Sequence, residues 1–339
     1  MGMLPTLGGV YPEHCRPVTP PCALSAFKVA TTGATKYELT TQLESFPKIS
    51  LLNVHISRIP IFRLSLTNTF KAPILTIAEL KPLASRSFNM PTTIYFVRHA
   101  QGFHNLNAAN HSIPDPLLTK HGENQCAALA ASFPHTERIT HLVASPLRRT
   151  ILTALLSFPS LVEPPKSLKI IAVPELQETS DLPCDTGSAP EVLEHDFGVG
   201  QYAGKVDFSR VGEGWNHKSG LSPWSPAPEK VEARAAVSRR FLRELGQEYE
   251  ERTGEAAHIA VVTHGGFLHF ATGDWTGYNK VKGTGWENTE WRSYVFGEGE
   301  KKESLEETGE SCKRRAGSEI PLTADEEREF NAVIGGQKE

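Results

Sequence analysis

Four short apolar runs punctuate the chain beyond residue 90: TTIYFV (92–97), THLVAS (140–145), LKIIAV (168–173) and HIAVVT (258–263). They are rich in β-branched and aromatic residues and lack a polar face, the pattern of strands covered on both sides. Between them lie stretches with helical spacing, such as TKHGENQCAALAASF (119–133) and KVEARAAVSRRFLRELGQEYEER (230–252). Strand and helix in alternation predict an α/β fold, three α/β/α layers about a largely parallel central sheet. The arginines of the long helix are expected to face water.

Ligands of such sheets gather beyond the carboxyl ends of the strands, so the residues that follow each run are the first candidates for chemistry. Arg98 and His99 follow the first run at once, and His264-Gly265-Gly266 follow the last. The second leads into SPLRRT, where Ser145-Pro146 reads as a turn opening a helix, with Arg149 in its first turn and Arg148 on the surface. Two histidines and two arginines thus share one edge of the sheet. That much positive potential suits an anion, and guanidinium forks match phosphate oxygens in bidentate geometry.

Residues 1–89 differ in kind. They are rich in Pro, Ser and Thr, carry a formal charge of +5 against −9 for the remainder, and hold no sustained period. They are expected to be a poorly ordered extension: an over-extended reading frame whose true start is Met90, a targeting segment, or a functional arm. The domain is assigned to 90–339, with a cap-like loop region over 178–230. Within that region Trp215 and Trp224 are expected either to roof the pocket, the favoured reading, or to staple the long loop. GEGEKKESLEETGESCKRRAGSE (297–319) is charged and nearly free of apolar residues, so a solvated, mobile insertion is expected. After it, Thr323 and Glu326 in TADEEREF form the signature of a capping box.

Composition narrows the function classes. A net charge of −4 gives no electrostatic reason to expect nucleic acid, and no apolar run reaches the roughly 18 to 20 residues that span a bilayer. Five scattered cysteines without C-x-x-C spacing suggest neither a disulfide framework nor zinc and fit a cytoplasmic location, or a mitochondrial one if the basic extension is a targeting segment. No cofactor is expected.

The ordered motifs resemble the histidine phosphatase superfamily, the phosphoglycerate mutase-like proteins. Arg98-His99 is followed by Asn105 at the family's spacing, with Ala100 where the family has glycine. Leu118-Thr119 with Gly122 and Gln125 matches the second block, Ser145 to Arg149 with Thr153 the third, Leu176-Gln177-Glu178 the fourth and His264-Gly265 the last. CDTGS (184–188) and NTEWRSYVF (288–296) are similar to stretches of fungal phosphomutase-like proteins. The resemblance implies a phosphohistidine on His99, phosphoryl contacts from Arg98, Asn105, Arg149 and His264, and Glu178 as general acid. Asp185 and Asp181 are alternatives for the acid. The expected activity is metal-independent hydrolysis of a small phosphomonoester. A phosphomutase, and a non-catalytic binding homologue, are the competing readings.

Overall fold

A computed structural model describes residues 91–274, 284–299 and 303–335 of the chain. The expectations for residues 1–89 lie outside these. Seven strands form one sheet: β1 (Thr93–Arg98), β2 (His141–Ala144), β3 (Ile170–Ala172), β4 (Val206–Asp207), β5 (His258–Thr263), β6 (Trp291–Phe296) and β7 (Leu305–Glu307). Their order is β4-β3-β2-β5-β1-β6-β7. β4, β3, β2, β5 and β1 run parallel, and β6 and β7 add an antiparallel edge.

Because side chains alternate across a strand, each run feeds two cores. Tyr95, Val97, Leu142, Ala144, Ala260 and Val262 face one layer, built on α1 (Lys120–Ser132), α2 (Arg148–Ser157), the short α3 (Pro159–Val162) and α4 (Pro190–Phe197). Ile94, Phe96, Val143, Ile259 and Val261 face the other, built on α5 (Pro228–Thr253) and α6 (Gly265–Thr272). Ile94 and Phe96 have no exposed surface, and burying each such side chain contributes about 1.5–3 kcal/mol. The predicted three-layer arrangement is the one observed.

Three expectations are corrected. The charged stretch 297–319 is not simply a solvated insertion: β7 pairs with β6, and α7 (Gly309–Arg315) is capped by Thr308, whose hydroxyl accepts from Ser311 N. Its few buried groups, Leu305 and Ser311, suffice to dock an edge strand and a short helix. In α5 the arginines do not all face water. Arg234 is buried, and its guanidinium donates to the carbonyls of Glu175, Gln177 and Glu178. Trp215 does not roof a pocket but packs in the first core and donates Nε1–H to Ser188 O at 3.0 Å, stapling the long loop. Trp224 is half-buried.

α5 ends at Gly254, whose φ of 75° lies in the left-handed region that glycine adopts without strain. The last helix, α8 (Ala324–Gly335), opens with the predicted capping box: Glu326 N donates to Thr323 Oγ1 and Thr323 N donates to Glu326 Oε2. Among the described residues no helix is long and apolar enough to cross a membrane, and Cys126, Cys184 and Cys312 are free thiols.

Candidate functional site

β1 and β5 are neighbours with Arg98 paired to Thr263, so His99 and His264 leave the sheet side by side. Their ring centroids are 5.1 Å apart. His99 is buried, and its Nδ1 lies 2.8 Å from Ala100 O. A carbonyl only accepts, so Nδ1 carries the proton and Nε2 presents its lone pair. Burial, and then the charges of Arg149 and Arg98, hold the pKa well below the ordinary histidine value. The ring is therefore neutral.

The tautomer of His264 is fixed in the opposite sense. Arg149 donates to its Nδ1 at 3.0 Å, so Nδ1 must accept, and Nε2–H donates to Ser145 Oγ at 2.9 Å. Burial and Arg149 also keep this ring neutral. Arg149 has no exposed surface; beyond His264 it donates to Cys184 O at 2.6 Å and to Asp185 Oδ1 at 2.9 Å. Asp185 accepts from Ser180 with its second oxygen, so both of its oxygens are engaged in holding Arg149 and the loop. Asp181 is exposed. Arg148 is half-buried and pairs with Asp196 at 2.5 Å.

Glu178 reaches the same place from the loop after β3. Its Oε1 accepts from Thr179 N at 2.8 Å and from Phe267 N, in the first turn of α6, at 2.9 Å. Arg98 donates to Trp286 O and Thr323 Oγ1 and lies 3.6 Å from Asp325 Oδ2. Asn105 accepts from Gly102 N with Oδ1 and donates from Nδ2 to the same Asp325 oxygen at 2.5 Å. The six predicted site residues thus converge on one end of the sheet.

The remaining motif residues act through the backbone around His99. Thr153 Oγ1 accepts from Ala100 N, and Gln125 Oε1 accepts from Gln101 N. Thr119 caps α1 and its hydroxyl also reaches Gln101 Oε1. Gly122 packs so closely that a Cβ there would sit 2.2 Å from Gln101 O. Asn288 Nδ2 donates to His99 O at 2.9 Å.

Sequence reasoning missed four groups. His104 is buried with its ring centroid 5.4 Å from that of His99; burial, and then Arg149, pushes its pKa far down. Lys218 is buried and donates to the carbonyls of Glu178 and Ser180 at 2.7 and 2.5 Å, with burial lowering its pKa to about 7. Asp325 and Glu329 enter from α8. Glu329 packs beside Glu178 over Gly266, and burial together with the neighbouring Glu178 and Asp185 charges raises its pKa well above the carboxylate range. Only the capping box hinted that this segment folds onto the body. Among the described residues no group of three or more His, Cys, Asp or Glu side chains is arranged to hold a metal ion.

Comparison with known proteins adds independent findings. A probable phosphatase of Schizosaccharomyces pombe is 29% identical over 176 residues, covering 51% of this chain and 74% of that protein. Among solved structures, the ecdysone phosphate phosphatase of Bombix mori in complex with tungstate matches at 14% identity and a TM-score of 0.43, covering 64% of this chain and 92% of that one. A phosphoglycerate mutase of Bacillus anthracis matches at 16% identity and a TM-score of 0.40, covering 74% and 99%. The sequence profile of the histidine phosphatase superfamily (branch 1) matches residues 94–308, from β1 through the strand that closes the far edge of the sheet. With that match spanning most of the chain and every strand of the sheet, the protein belongs to the histidine phosphatase superfamily.

Proposed function

We propose that the protein hydrolyses a small phosphomonoester through a phosphohistidine formed on His99. The observation that carries this reading is the tautomer of His99. With Nδ1–H bound to Ala100 O, the Nε2 lone pair is the nucleophile, and the low pKa keeps it unprotonated near neutrality. Membership of the superfamily and the similarity to a probable phosphatase support phosphatase or phosphomutase chemistry in general.

In this reading Nε2 attacks phosphorus as the bond to the leaving oxygen breaks, and Glu178 gives that oxygen a proton. Water then attacks the phosphohistidine, Glu178 takes its proton, and inorganic phosphate leaves with the His99 lone pair restored. Phosphoryl transfer is governed by positioning and charge stabilisation. Arg98 and Arg149 supply the positive charge, Asn105 donates from its amide, and His264 holds Arg149. Asp185 is assigned to aiming Arg149 because both of its oxygens are already bonded.

Trapping tests the step. Brief incubation with a radiolabelled phosphomonoester and quenching in alkali leaves acid-labile, base-stable label on the wild type, and none on His99→Ala. Undiminished label on that variant overturns the assignment.

A further inference from the structure

The proposed phosphoryl contacts are already in use. Both Arg98 and Asn105 converge on one oxygen, Asp325 Oδ2, so a carboxylate lies on the groups assigned to a phosphoryl oxygen. One turn further along the helix, Glu329 is 4% exposed and packs beside Glu178. Its Oε2 and Glu178 Oε1 lie 2.2 and 2.8 Å from the position that a Cβ on Gly266 would take, so both carboxyl groups fill the space above the helix that follows His264. Arg328 braces the arrangement, donating to Asp325 at 2.7 Å, to Glu329 at 3.2 Å and to His111 Nε2 at 2.9 Å. Glu326 anchors the helix, accepting from Trp286 N and bonding His269 Nε2. Asp325, Glu326 and Glu329 all belong to α8, which begins beyond residue 308, where the superfamily match ends.

We propose that α8 is an internal competitor for the anion site: Asp325 occupies Arg98 and Asn105 in place of a phosphoryl oxygen while Glu329 engages Glu178, and the helix withdraws when an anionic ligand binds. This rests on the phosphoryl-site reading above. An alternative role for Asp325, orienting Arg98 for the substrate, predicts the opposite sign. A carboxylate that merely aims Arg98 strengthens anion binding. One that sits in the anion's place weakens it, because two anions cannot share the same donors at low cost. The raised pKa of Glu329 agrees with a side chain held against other carboxylates by the docking of its helix. Acidic residues in the first turn of α8, Asp325 and Glu326 among them, complement the helix dipole, so the segment keeps a helical preference when undocked.

The apparent dissociation constant of a ligand rises by the inverse of the fraction of protein competent to bind it. A helix docked in about nine molecules of ten therefore weakens anion binding about tenfold. The probe is inorganic phosphate, titrated calorimetrically into the full-length wild type and into Asp325→Ala, with Asp325→Asn as the second variant should the alanine chain fail to fold. Phosphate is expected to bind the variant about tenfold more tightly. Hydrogen exchange of the wild type with and without phosphate is expected to show faster exchange across residues 324–335 when phosphate is bound. Equal or weaker phosphate binding by the folded variant overturns the proposal, as does exchange in α8 that phosphate leaves unchanged or slows. Absence of phosphate binding in wild type and variant alike removes the phosphoryl-site reading itself, and this proposal with it.

Discussion

Replacing Asp185 separates aiming from acid catalysis. Its carboxylate and the Arg149 guanidinium are 0–1% exposed and 2.9 Å apart, and nothing else among the described residues neutralises Arg149 at hydrogen-bond range. Removing one partner of a buried ion pair leaves the other desolvated and uncompensated, at a cost of about 3–5 kcal/mol. Asp185→Ala should show that full loss. Asp185→Asn, which keeps an acceptor oxygen for Arg149, should fall at or below the lower end. At roughly 2–4 °C per kcal/mol for a chain of this size, the alanine variant melts about 6–20 °C below the wild type. Freed from Asp185, Arg149 shifts, and a misplacement of about 1 Å in a catalytic group costs on the order of 100-fold in rate. That loss falls on charge stabilisation, so kcat/KM for p-nitrophenyl phosphate and for an alkyl phosphate should drop by a similar factor in Asp185→Ala, and by a smaller but again similar factor in Asp185→Asn. The measurement is the ratio of the two losses alongside a thermal melt. A loss confined to the alkyl phosphate, or an unchanged melt in Asp185→Ala, refutes the reasoning and returns Asp185 to the role of acid.

Glu178→Gln should behave the other way, lowering kcat/KM about 100- to 10,000-fold for an alkyl phosphate and far less for p-nitrophenyl phosphate, whose leaving group departs without a proton. Equal losses would move the acid elsewhere. Activity should survive dialysis against EDTA, since the positive charge is assigned to Arg98 and Arg149; loss that a divalent ion restores contradicts the mechanism. Burial alone would raise the Glu326 pKa, but its bond with His269 and the charge of Arg98 bring it down to about 2 from 4.5. Its contribution, about 3 kcal/mol, is therefore present above pH 4.5 and lost as pH falls toward 2. Acid unfolding of Glu326→Gln should be correspondingly less steep across that window, and superimposable acid titrations would remove Glu326 from the account.

The strand exits were legible because fully covered parallel strands need continuous apolar runs, and the abrupt change to Arg98-His99 or His264-Gly265 is visible wherever such a run stops. The order of the strands was not. Nothing local in TTIYFV or HIAVVT states that β1 and β5 are partners across 160 residues, yet that pairing is what brings the histidines together. Arg234 was misread for a related reason. Charge in a helical repeat counts as solvated until a distant acceptor is known, and its acceptors are backbone carbonyls at Glu175, Gln177 and Glu178. In the charged stretch, β7 escaped notice because an edge strand of three residues with Leu305 as its only buried apolar side chain leaves almost no pattern. Asp325 and Glu329 escaped notice because acidic residues in a short terminal helix count as solvated until a distant partner is known, and Asp325 also suits the first turn of α8.

The two histidines owe their adjacency to a backbone ladder. His99 N donates to Thr263 O at 2.9 Å, continuing the β1–β5 pairing past the end of the strand, and neighbouring strands of any sheet lie about 4.8 Å apart. Sheet geometry thus brings the two residues side by side, and the hydrogen bonds of each ring then set the 5.1 Å between them. Sequence drift in α8 or in the loops around Asn105 leaves this backbone register undisturbed. A one-residue slip between β1 and β5 would do the reverse, leaving every pocket residue unchanged in the sequence while setting Thr263 or Gly265 opposite His99. The pairing of β1 with β5 and the loops beyond the strand ends are therefore separable determinants of the site.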